Sequence, residues 1–178
     1  LAELAEIGDR IPGDGWILGQ RVRYLSEAGR WDEAADLSRD CIVVDRWWCS
    51  VLEGFALHGM GRYQTALRAF REGLASMSFE EAIRWRDPSM LLDGKGSDVV
   101  KEAEEEDRAE VRSELWTLAD PLYLVPGNDR ESEHYARWTF SKISDRAESV
   151  WGMRWGDDLE EITVRYGWER GWERHRPT

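Results

Sequence analysis

The sequence predicts a mainly α-helical fold in which helical hairpins are followed by further helices and a short C-terminal strand. Three observations predict it: an internal near-repeat, apolar residues at helical spacing around each copy, and cap residues at the expected helix starts. Residues 29–35, GRWDEAA, are echoed by residues 61–67, GRYQTAL, an offset of 32. In each copy a glycine suited to ending a helix is followed by an aromatic wedge, Trp31 or Tyr63. Three residues later comes a small side chain, Ala34 or Ala66, where two helices can approach closely.

The first expected helix, about 15–28, opens after Asp14 and carries Trp16, Ile17, Val22, Tyr24, Leu25 and Ala28. Its partner, about 32–44, carries Ala34, Leu37 and Cys41. The second hairpin repeats the plan: Asp45 caps a helix over 46–60 with Val51, Leu52, Phe55, Ala56 and Leu57, and a helix over 64–77 carries Ala66, Leu67, Phe70 and Leu74. Ser78 and Glu81 form a capping-box pattern that starts a short helix through Trp85, ended by Pro88. Residues 88–98, PSMLLDGKGSD, are turn-rich and read as a linker loop.

Between Val99 and Ala119 the acidic run Glu102, Glu104, Glu105, Glu106 and Asp107 reads as a solvated helix face, followed by Val111, Leu115 and Leu118 at helical spacing. ADPLYLVPG, residues 119–127, is a loop with two prolines. Asn128 and Glu131 make a second capping box, opening an amphipathic helix over about 129–149 through Tyr135, Trp138, Ile143 and Ala147. Ile162, Val164 and Tyr166 then alternate with Glu161, Thr163 and Arg165, which predicts a strand. The domain reading is therefore hairpins over 1–87, a linker over 88–98 and a helical C-terminal region with a strand over 99–178.

The repeated segment resembles the tetratricopeptide repeat. Gly54, Gly61, Tyr63, Ala66 and Phe70 match that family's pattern in the second copy, and Gly29, Trp31 and Ala34 match in the first. The first copy departs at Val22 and Ser38, neither copy ends in the family's proline, and the 32-residue offset is shorter than usual. Two repeats also expose too much apolar end surface to stand alone, so another part of the chain must cap them. The resemblance implies a groove lined by the first helix of each hairpin, with Trp16, Trp48 and Phe55 as anchors for a protein or peptide partner, Arg23 as a charge clamp and His58 beside them. The C-terminal half packing into the same groove is the other reading.

A second resemblance covers about residues 116–167. Ala119-Asp120-Pro121-Leu122, then Asn128, Glu133 and Arg137, then Trp155 and Asp158, then Ile162-x-Val164-Arg165-Tyr166-Gly167 are similar to the domain family named for its GWxTD motif. Asp157 stands where that motif has threonine, Leu159-Glu160 where it usually has Arg-Gly, and Trp168 where proline is common. Members are largely uncharacterised bacterial proteins, often exported and often joined to tetratricopeptide repeats, and the resemblance implies no activity.

Composition narrows the function. At 178 residues, 42% hydrophobic and 34% charged, the chain suits a folded domain of ordinary globular type. Its 24 basic and 36 acidic residues give a formal charge of −12, which repels phosphate backbones, so nucleic acid is not an expected partner. No apolar run is long enough to span a membrane. Leu1 to Glu6 carry no leader pattern, and the chain reads as a mature or internal piece. Eleven tryptophans are spread along its length as packing wedges and interface anchors.

Catalytic chemistry finds few footholds. Three histidines, His58, His134 and His175, are too few for a histidine-rich metal centre, and Glu131-x-x-His134 lacks the second copy that a di-iron bundle needs, so His134 is expected to be solvated or at the edge of the core. No phosphate-binding glycine loop or nucleophile elbow occurs, and no cofactor or metal is expected. Cys41 and Cys49 flank Asp45 across a helix turn, and they are either a disulfide, which suits an exported chain, or two small packing residues. An exported or periplasmic location is favoured over a cytoplasmic one. The expected function is a protein-interaction or scaffold module, acting through the hairpin groove or within a larger assembly. The alternative is an enzyme or carbohydrate-binding protein, with Trp151, Trp155 and Trp168 as stacking surfaces and Asp157 or Asp158 as the acid.

Overall fold

Asp14 accepts hydrogen bonds from the backbone N–H groups of Trp16 (2.9 Å) and Ile17 (3.0 Å), and so starts α2 (Gly15–Glu27). In the computed structural model, which describes residues 2–41, 44–104, 106–120, 123–147 and 155–168, a short α1 (Ala2–Arg10) precedes it. The two copies of the repeat end their leading helices in the same way. Gly29 (φ 73°) and Gly61 (φ 72°) take the left-handed conformation, Arg30 N donates to Leu25 O at 2.9 Å, and Arg62 N donates to Leu57 O at 3.0 Å. This closes the free carbonyls of α2 and of α4 (Arg46–Gly59) and reverses the chain into α3 (Trp31–Arg39) and α5 (Tyr63–Ser76).

The hairpins pack through small-to-large contacts. A Cβ added at Gly54 would lie 2.7 Å from the Phe70 ring, so glycine there lets α4 and α5 close on Phe70, which is fully buried. Val22, Val51, Leu52, Ala56 and Ala66 complete this apolar interior.

Ser78 accepts from Glu81 N at 3.3 Å to open α6 (Phe79–Arg86). The stretch read as a linker loop contains more structure than its composition suggested. A 3-10 turn spans Ser89–Leu91, and Asp93 then accepts from Gly96 N at 3.0 Å, capping α7 (Gly94–Glu102). Next come α8 (Arg108–Ala119) and α9 (Asp129–Ser144), the latter opened by Asn128, which accepts from Glu131 N at 2.9 Å. The expected helix over 129–149 is thus shorter at its end.

The expected C-terminal strand is not found: residues 157–166 form α10 (Asp157–Tyr166). The alternation of Ile162, Val164 and Tyr166 was misleading, because Ile162 and Tyr166 are 51% and 77% exposed while the adjacent Thr163 and Val164 are buried. Three acids in the first turn, Asp157, Asp158 and Glu160, favour the positive end of a helix, and Arg165 pairs with Glu161 one turn earlier at 2.7 Å. The described residues contain no strand and are mainly helical.

Position follows from these contacts. The central helix α4 packs on α3, α5 and α2, and α9 lies against α4, α2 and α5 on the side the leading helices share. In turn α10 covers α9.

Candidate functional site

The groove expected to receive a partner holds α9. Phe55 is 3% exposed and sits in an aromatic cluster with Trp31 (5.9 Å between centroids), Phe140 of α9 (6.4 Å) and Trp168 (5.8 Å). Trp48 is also buried, its indole N–H donating to Gly15 O at 2.7 Å. The guanidinium of Arg23 pairs with Glu27 at 2.8 Å and lies 5.4 Å from the centre of the Phe140 ring. His58 is 3.0 Å from the Ser132 hydroxyl through Nδ1, and burial lowers its pKa. Trp16 is different: it is 39% exposed and borders a cavity of about 510 Å³. The cavity is shared with Trp47, Trp48, Lys142 and Arg146, at the end of the groove where α9 runs out.

Polar anchors that the sequence reading did not single out fix α9 in place. Gln20, 4% exposed, donates from Nε2 to Ile143 O at 2.8 Å. It lies one turn after Trp16 and one turn before Arg23, which was the available signal that it faces the groove. His134, expected to be solvated or at the core edge, is instead 1% exposed, with Nε2 2.7 Å from Trp85 O. Burial lowers its pKa to about 4, so it is neutral at pH 7 and acts as a packing and hydrogen-bonding residue. The rings of Trp116, Tyr135 and Trp138 surround it. Arg137 donates to Val164 O at 3.1 Å and Arg165 O at 2.7 Å, tying α9 to α10, and pairs with Glu133.

Cys41 and Cys49 are joined as a disulfide, with Cα atoms 5.9 Å apart, linking the end of α3 to the first turn of α4. Their separation of 8 residues closes a short loop around Asp45.

Two of the three tryptophans considered as a sugar-stacking surface, Trp155 and Trp168, are packed inward. Trp155 donates from its indole to Ser141 at 3.2 Å and meets Phe140, and Trp168 meets Phe55 and Phe140. Trp151 lies outside the described residues. Asp157 and Asp158 occupy the first turn of α10. Among the described residues, no group of three or more His, Cys, Asp or Glu side chains is placed to hold a metal ion, and no helix is long and apolar enough to cross a membrane.

No protein-family model, curated protein or solved structure matches the chain.

Proposed function

We propose that the chain is a protein-interaction or scaffold module built on a tetratricopeptide-like pair of hairpins, with its groove filled by its own α9. The observation that carries this reading is how the five groove positions are used. Trp48, Phe55, His58 and Arg23 are engaged within the chain, and Trp16 alone combines a large exposed ring with an adjoining cavity. A partner therefore meets the open end of the groove, seating an apolar side chain against the indoles of Trp16, Trp47 and Trp48 while Lys142 and Arg146 border the same opening. A rigid helical scaffold with an aromatic anchor at its mouth suits docking inside a larger assembly.

The test is a comparison of partners captured by the wild-type chain and by Trp16→Ala, with helical circular dichroism and melting checked for both. Loss of the same captured chains from an intact Trp16→Ala protein is expected. Undiminished capture would reject the open-end version.

A further inference from the structure

A second cavity, of about 570 Å³, opens on another part of the molecule, between α5, the end of α6, α8 and the start of α9. Arg71, Arg86 and Arg112 line it, a convergence of guanidinium groups in a chain whose formal charge is −12. Arg71 is largely exposed and pairs with Glu131 at 3.4 Å. Arg86 and Arg112 are half-buried, and neither has a carboxylate partner among the described residues. Half-buried guanidinium groups without a counter-ion are costly and are ready to receive a carboxylate in two-pronged fashion.

The same wall carries the opposite charge. Asp120 and Glu131 both line the cavity. Burial raises the pKa of Glu131, and Arg71 opposes that shift. Three guanidinium groups against two carboxylates leave a single net positive charge, which suits a ligand carrying both signs better than a phosphate dianion. The remaining wall is aromatic and apolar, with Trp116, Tyr135 and Val125. At the rim, Tyr123 takes the left-handed conformation at φ 55°, rare outside glycine and asparagine, and its hydroxyl donates to Thr117 O at 3.1 Å. Gly127 lets this connection lie on the start of α5, since a Cβ there would come within 2.7 Å of Gln64 Cα.

We propose that this cavity binds a free α-amino acid with an apolar or aromatic side chain: Arg86 and Arg112 hold its carboxylate, Asp120 accepts from its ammonium group, and Trp116 and Tyr135 pack on its side chain. The site is separate from the mouth of the groove and does not depend on a protein partner. It accounts for two features together: two guanidinium groups without a carboxylate partner among the described residues, and an aromatic wall beside them.

Calorimetric titration of the full chain with five probes, L-leucine among them, tests this. L-phenylalanine is expected to bind. 3-Phenylpropionate, which lacks the ammonium, and 2-phenylethylamine, which lacks the carboxylate, should each bind about tenfold more weakly or less. Inorganic phosphate should neither bind nor compete. Arg112→Ala should weaken phenylalanine and phenylpropionate by about tenfold while leaving phenylethylamine unchanged, and Arg112→Lys, which keeps the charge in a packed side chain, should recover part of the loss. Equal binding of phenylpropionate and phenylalanine, displacement by phosphate, or no binding of either L-phenylalanine or L-leucine tighter than about 1 mM would each overturn the proposal.

Discussion

Two neighbours of α4 are attached to it in contrasting ways. Its contact with α5 is made by Val51, Leu52, Ala66, Phe70 and Leu74, an apolar seam between segments joined by a three-residue turn. Helix α9 instead brings buried polar groups beside its aromatic ones: Ser132, which meets His58 of α4, His134, which meets Trp85 O of α6, and Thr139 and Ser144. The bonds that hold α9 bridge 74 residues from His58 to Ser132 and 123 residues from Gln20 to Ile143. The hairpin seam needs only volume and hydrophobicity, whereas the docking of α9 also needs register, because each buried donor must find its acceptor. Thr139 and Ser144 avoid that demand by donating to carbonyls of their own helix, Tyr135 O and Phe140 O, at 2.8 and 3.0 Å.

Three changes separate the two attachments. The largest is Phe70→Ala, which empties the seam between α4 and α5 and should cost about 3–5 kcal/mol in urea unfolding. A loss below about 1 kcal/mol would mean the seam is not the stabilising core. The second is acidification. Burial keeps His134 neutral in the folded chain, with its pKa lowered to about 4 from 6.5. Between those values the unfolded chain binds more protons, so this contribution is intact above about pH 6.5 and is lost as pH falls toward 4, by about 3 kcal/mol in full. His58, also lowered by burial, acts in the same direction. His134→Gln should remove most of this dependence, so the stability gap between wild type and variant should narrow from pH 7 to pH 4.5; a gap independent of pH would contradict a buried neutral imidazole. The smallest change is Gln20→Met, which keeps the bulk but leaves Ile143 O without its donor, at a cost of about 1–3 kcal/mol. It should also raise amide exchange at the end of α9 more than within α5, and uniform exchange would indicate that the anchor is not local.

The same contrast explains what the sequence made readable. Helices α2 to α6 could be placed because their signals are local: Asp14, Ser78, Gly29 and Gly61 act within a few residues of themselves. The start of α7 was hidden because Gly94, Gly96 and Ser97 look like turn residues until Asp93 is seen to cap them. The strand was expected because five or six alternating residues fit both periods when only two buried positions, Thr163 and Val164, decide between them. At the groove, the register carried over from the tetratricopeptide resemblance pointed to which residues would line it but carried no information on what they would face. Phe55 and Trp48 have the same sequence signature whether a partner or α9 covers them. The arginine cavity was invisible for a related reason: Arg71, Arg86 and Arg112 belong to three different helices and acquire a common direction only after α8 and α9 are in place.

The filling of the groove by α9 also sets an order of events during synthesis. The hairpins are complete once Ser76 has emerged, but the chain must grow by a further 53 residues or more before Asp129 begins the helix that covers Phe55. For that interval the nascent chain presents an aromatic trough with no lid, open to chaperones and to other unfinished chains. Closure then depends on contacts of high sequence separation, which form slowly compared with the turns that built the trough. A truncation before α9 would therefore make that passing vulnerability permanent.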